Sequence, residues 1–254
     1  MGGLHRNDRR TLLADLGRGA LAVAVLGWTA CGGDDPEDDG GGAGAASSST
    51  SSRERDAGGE ALVDQRVSLG FVSAYVLVRG REAAVVDTGV AGSAPQIEQG
   101  LTAAGSSWED VRHVILTHNH PDHAGSVGDV MEAAAEARGY AGAADIPSID
   151  AARDLVAVED GEEVFGLRVV TTPGHTAGHI AVLDPDSGLL IAGDALDNTA
   201  GLGGSPPQFT ADAAQAEESV KKLADLDVQR ILFGHGDPLE QNAAQALRDL
   251  AASL

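Results

Sequence analysis

The sequence predicts a layered α/β domain for residues 61–254, and three observations carry that expectation. Stretches of strand and helix character are mixed along the segment rather than segregated, the pattern of stacked sheets and helices. A chain of 254 residues, 43% of them hydrophobic, has enough apolar surface for a full core. A single cysteine excludes both an intramolecular disulfide framework and a Cys-rich zinc module.

Taken in order, Gln65–Ser68, Phe71–Val78 and Glu82–Asp87 read as consecutive strands, with Arg79-Gly80-Arg81 turning between the last two. Ala94–Ala104 has helical spacing through Ile97 and Leu101 and stops at Gly105. Val111–Leu116 reads as a buried strand, and Asp129–Arg138 as an alanine-rich helix. Further strands are expected at Glu163–Thr171, His179–Leu183, Leu189–Ala192 and Ile231–Phe233. Ala211–Ala224, capped by Thr210, and Leu239–Leu250 complete the set as helices.

The N-terminal residues fall outside this domain. Residues 1–31 carry Arg6, Arg9, Arg10 and Arg18 against Asp8 and Asp15, then a short apolar run and small residues, as an export signal does. The run is too short to span a bilayer, which takes about 20 apolar residues. Arg9-Arg10 resembles a twin-arginine signal, and Thr29-Ala30-Cys31 resembles the end of a bacterial lipoprotein signal, in which Cys31 is lipidated. The expectation is an exported protein anchored at the outer face of the membrane through that lipid, or secreted after simple cleavage. Residues 32–60, rich in Gly, Ser, Ala and Asp, read as a disordered tether.

Charge narrows the partners. With 17 Lys and Arg against 39 Asp and Glu, the formal charge is −22. Nucleic acid is excluded as a partner, because phosphate contacts need a cationic surplus. The domain itself has no electrostatic reason to sit on an anionic lipid surface, so any membrane contact runs through the lipidated N-terminus. A small-molecule substrate is the partner expected.

Five of the eight histidines lie in two short clusters. The first is Thr117-His118-Asn119-His120-Pro121-Asp122-His123, between a strand and a helix. In extended backbone, residues two apart project to one side, so His118 and His120 converge on one ion. Pro121 biases His120 toward that conformation. Asp122 and His123 are adjacent, point differently, and suit a second ion. The second cluster is Thr172-Pro173-Gly174-His175-Thr176-Ala177-Gly178-His179. Asp194 and His235 each follow an apolar strand, where α/β sheets gather ligands.

The series His118-x-His120-x-Asp122-His123, then His175, Asp194 and His235, resembles the metallo-β-lactamase fold superfamily of metal-dependent hydrolases over roughly residues 61–240. The resemblance implies a four-layer αββα sandwich with metals at one edge of the strands. It also implies His118, His120 and His175 on a first metal, Asp122, His123 and His235 on a second, and Asp194 between them. Two cations about 3.5–4 Å apart acidify a shared water and polarise a carbonyl or phosphoryl group. Asp122 would orient the resulting hydroxide. Imidazole and carboxylate ligands suit two Zn2+ per chain, with iron or manganese as alternatives. Asp87 stands at a position that in this family lies beside the metal site, and Thr117 and His179 are expected to orient the ligand imidazoles by hydrogen bonds.

Departures from known branches limit the reaction. Asp194 stands where true β-lactamases lack a carboxylate, and His120 where the diiron flavoprotein branch has a glutamate. Glyoxalase II resembles the whole ligand set but adds a helical glutathione-binding domain, for which only Leu239–Leu254 is left here. Asp197 stands where quorum-quenching lactonases have a tyrosine. These exclusions leave a compact hydrolase of an ester, thioester, lactone or phosphodiester. A mononuclear iron persulfide dioxygenase and a non-catalytic metal-binding lipoprotein are the rivals. The loop Gly201–Phe209 reads as an ordinary connection, more than as a cleft wall built on Phe209.

Overall fold

The computed structural model describes residues 60–254. The expected export signal over 1–31, with Cys31, and the tether over 32–60 lie outside the described residues, Glu60 excepted. Among the described residues no helix is long and apolar enough to cross a membrane.

The chain opens with β1 (Val63–Ser68), β2 (Ser73–Arg79) and β3 (Glu82–Val86), an antiparallel meander. The expected turn at Gly80 holds, with Gly80 at φ 63°, where a side chain would be strained. The strand expected from Phe71 starts only at Ser73. The Leu69 N–H donates to Val72 O at 2.9 Å with Gly70 at φ 90°, and this turn lifts Phe71 out of the ladder.

Helix α1 (Ala94–Ala103) leads to β4 (Val111–Ile115), then α2 (Pro121–Ala124) and α3 (Val127–Ala133). The helix expected over Asp129–Arg138 therefore ends early. Residues from Arg138 instead form β5 (Arg138–Gly142), parallel to β4 and to β6 (Leu155–Val158). Neither strand was legible. Gly139 and Gly142 occur in β5 because a Cβ there would collide with Leu155 and with the Gly178 carbonyl, and glycine carries no strand signal.

The single strand expected at Glu163–Thr171 is two, β7 (Glu163–Val164) and β8 (Leu167–Thr171). Phe165 and Gly166 sit at φ 58° and 73° and close a two-residue hairpin. β9 (Ile180–Asp184), β10 (Leu189–Ile191), the short pair β11 (Leu196–Asp197) and β12 (Gly203–Gly204), and α4 (Ala213–Ala224) follow. The cap of α4 is Asp212, which accepts the Gln215 N–H at 3.1 Å; Thr210 instead donates to Pro206 O at 2.7 Å. After β13 (Arg230–Leu232), Leu239 pairs with Ile231 in extended form, so α5 (Ala243–Ala252) starts four residues later than expected.

β1–β6 make one sheet in sequence order, and β13-β10-β9-β8-β7 the other. Period-two alternation gives each sheet two apolar faces. Tyr75, Leu77, Val86 and Ile115 from the first meet Val169, Ile180, Val182 and Ile191 from the second. Ile97 and Leu101 of α1 and Val130 of α3 cover the outer face of the first sheet. Val220 and Leu223 of α4 and Leu247 of α5 cover the second. The result is the expected αββα sandwich, each fully buried aliphatic side chain contributing about 1.5–3 kcal/mol. His113, for which the sequence suggested no role, packs between the Tyr140 and Phe165 rings at 5.7 and 5.4 Å.

Candidate metal centre

Four segments, each just beyond the end of a strand, meet at one edge of the sandwich. The loop after β4 runs through His118 and His120 into α2. His120 has φ −66° and ψ 146°, the extended form that Pro121 imposes. His118, His120 and His175 bring one nitrogen each within 4.8 Å of one another, and so do Asp122, His123 and His235 with their ligand atoms. His118, His123 and Asp194 form a third such group that joins the two.

Asp194 stands between them. Its Oδ1 is 3.3 Å from His123 Nε2, and its Oδ2 is 3.2 Å from His235 Nε2 and 3.5 Å from His175 Nε2. Backbone geometry allows this approach. Gly234 lies where any Cβ would strike Asp194 Oδ1, and Gly193, at φ 52°, faces Thr117 and His179.

The rings are aimed from behind. Asp87, held at φ 59°, accepts the Thr117 N–H at 2.8 Å and the His123 Nδ1–H at 2.8 Å. His123 therefore turns Nε2 inward. Thr117 Oγ1 meets His118 Nδ1 at 3.0 Å, and the His235 Nδ1–H donates to Phe71 O at 2.8 Å. His179 departs from expectation: it orients no imidazole. Its Nε2 accepts the Asp194 backbone N–H at 3.0 Å, so its Nδ1 carries the proton facing Thr172 Oγ1 at 2.8 Å. Burial pushes this imidazole down to about 3, which keeps it neutral for that task.

Asp145 was missed by sequence reasoning. Buried at 1% exposure, it accepts from the Asn119 N–H at 3.1 Å, Thr176 Oγ1 at 2.6 Å and the Gly178 N–H at 2.8 Å. One carboxylate thus ties the His118–His120 loop to the His175 loop. Nothing in Ala143-Ala144-Asp145-Ile146 marks it, because its partners lie 26 to 33 residues away. Asp145→Ala is expected to lower metal affinity about 10- to 100-fold, as loss of a supporting hydrogen bond does. A competitive chelator titration would measure this, with circular dichroism confirming the fold. Unchanged affinity would deny Asp145 that role.

The donor set fits cations. His118 Nε2 and Asp194 Oδ1 are buried inside the cluster without a hydrogen-bond partner, which is costly unless something else binds them. His175 Nε2 and His120 Nδ1 face each other at 3.0 Å, and His123 Nε2 and His235 Nε2 at 3.3 Å. Ligand atoms around a tetrahedral metal with about 2.05 Å bonds stand about 3.3 Å apart. Burial and the neighbouring imidazoles hold His118 well below the usual histidine range, and burial takes His175 down to about 4. Both are therefore neutral, and free to donate to a cation, at physiological pH.

A cavity of about 680 Å³ opens over this edge, with His120, Asp122, Asp194 and His235 on its floor. Phe209 lines it as well, so the loop that reads as an ordinary connection is a wall of the cleft.

Comparison with known proteins agrees with this geometry. Residues 67–235 match the model of the metallo-beta-lactamase superfamily. The probable metallo-hydrolase YflN of Bacillus subtilis (strain 168) is 30% identical over 215 residues, 67% of this chain and 81% of that protein. The hydroxyacylglutathione hydrolase of Rhodospirillum rubrum is 37% identical over 158 residues, covering 60% of this chain but only 56% of its own length. Among solved structures, a metallo-beta-lactamase family protein of Thermus thermophilus superposes with a TM-score of 0.61 at 26% identity, over 76% of this chain and 78% of that one.

Proposed function

The chain belongs to the metallo-beta-lactamase superfamily and is a metal-dependent hydrolase, and from that premise we propose that it works with two Zn2+ ions. His118, His120 and His175 would hold one, Asp122, His123 and His235 the other, and Asp194 both. Bound there, the pair supplies an acidified water and polarises the oxygen of the scissile group. The bond is an ester, thioester, lactone or phosphodiester.

The protein's own residues prepare that chemistry. Thr117, Asp87 and the Phe71 carbonyl hold the rings of His118, His123 and His235 with the donor nitrogens turned inward. His179 fixes the backbone of Asp194. Asp122 lies on the cavity floor with its side chain 27% exposed, and the hydrogen bond it accepts from His235 holds its carboxyl below the usual carboxylate range. As an anionic acceptor at the cavity, Asp122 would also orient the attacking water.

One observation carries this reading: two three-ligand groups are linked by a third, His118, His123 and Asp194, whose buried carboxylate Oδ1 has no hydrogen-bond partner. Metal analysis of the purified full-length chain, with hydrolysis assays on one member of each bond class, tests it. Two zinc per chain and chelator-sensitive hydrolysis are expected. One iron per chain with oxygen uptake would overturn it.

A further inference from the structure

We infer that the cleft over the metal centre selects substrates whose group beside the scissile bond is apolar and uncharged, gripped between Phe71 and Phe209. The inference rests on the hydrolase reading above and leaves its bond type open.

Phe71 is 66% exposed and Phe209 64%, and both line the cavity over His120, Asp122, Asp194 and His235. They are two of only four phenylalanines in the chain. Leaving a ring in water forgoes about 1.5–3 kcal/mol of burial, so these positions serve something other than the core.

Both rings are mounted on short turns. Phe71 follows the tight turn at Gly70, and its ring stacks on His235 with centroids 5.9 Å apart and planes 4° apart. Phe209 ends the turn Pro207–Phe209, where its N–H donates to Pro206 O at 3.0 Å and Thr210 Oγ1 donates to the same oxygen. Mounted this way they lose little freedom on binding, which favours a weakly polar ligand.

Charge sets the other half of the selection. Among the described residues no Lys or Arg lines this cavity, and its remaining charge is Asp197, held by the Thr199 N–H at 3.0 Å. A carboxylate on the substrate, away from the cations, would lose its hydration and meet an anion. A cationic group would also lose its hydration, and the two proposed dications would offset the pull of Asp197. The neutral apolar class is the one that both halves of the cleft accept. That separates this chain from what the name of its relative implies, since a glutathione conjugate carries carboxylates.

The test uses the full chain loaded with zinc and matched nitrophenyl esters of equal length: hexanoate, the anionic half-ester of adipate, and the cationic ω-amino hexanoate. A thioester pair, hexanoyl on N-acetylcysteamine and on glutathione, and bis-nitrophenyl phosphate extend it to other bonds. The neutral member is expected to lead each set in kcat/KM by about tenfold or more. Phe209→Ala, at an exposed position that touches no proposed ligand's hydrogen bonds, is expected to raise its KM about tenfold while kcat stays within about twofold. Equal or faster chelator-sensitive turnover of the charged members, or Phe209→Ala leaving KM unchanged, would overturn the inference alone. Absent or chelator-insensitive turnover on every bond class would bring down the hydrolase reading, and the inference with it.

Discussion

Asp194→Ala is expected to lose both cations and at least about a thousandfold of the hydrolytic rate, some 4 kcal/mol of transition-state stabilisation. Asp194 alone reaches both halves of the site, with Oδ1 toward His123 and Oδ2 toward His235 and His175. Alanine would leave those imidazoles converging with only Asp122, beside His235 and His123, as an anion. The loss should be local, since the hydrogen bond to His179 uses the Asp194 backbone and survives the substitution. Asp194→Asn keeps the shape and removes the charge, so it should retain more metal than alanine and less than the native chain. Metal analysis beside circular dichroism separates the outcomes. A folded alanine variant that keeps two metals and its rate would show that Asp194 joins nothing.

Removing the metal should abolish hydrolysis and leave a site that stores protons. In the stripped protein, the hydrogen bonds that His235 donates to Asp122 and Asp194 push it up to about 11. Burial pulls His123 down, but Asp194 and Asp87 overcome it and push it up to about 10. The two rings face each other, so reloading the site near neutral pH should release about one to two protons, because a ligating imidazole must be neutral. Affinity at the Asp122–His123–His235 side should then fall at least about tenfold per pH unit as the medium is acidified.

The same shifts fix how the stripped fold responds to pH. Raised groups such as His123 and His235 contribute fully below the unfolded histidine value of about 6.5 and lose that contribution as pH rises toward their folded values. Lowered histidines, His118, His175 and His179, oppose folding as pH drops below about 6.5. The two sets turn in opposite directions, so the stripped protein should melt highest near pH 6.5. Calorimetry in buffers of different ionisation enthalpy, with melting curves across pH, would measure both effects. Metal loading without proton release would contradict the arrangement.

Much of this molecule was readable from the chain alone. His118 and His120 converge because two-residue spacing in extended backbone is a local rule, and Pro121 enforces it. The ligand types follow from side-chain chemistry, and the order of strands and helices follows from apolar periodicity. Failures occurred where a residue's state depends on a distant neighbour. β5 looked like the tail of a helix because glycine and alanine fit against Leu155 and Gly178 without showing a period. Phe165-Gly166 hid a hairpin because φ above zero at a phenylalanine has no sequence signal.

Sequence by itself determined which side chains carry metal-binding chemistry and the class of fold that holds them, because donor chemistry and periodicity are local properties. Tertiary structure alone decided that Asp145 clamps two ligand loops, that His179 serves a backbone amide, and that Phe71 and Phe209 close on one cleft. Those are contacts between segments far apart in the chain, and only packing the two sheets face to face brings such segments together.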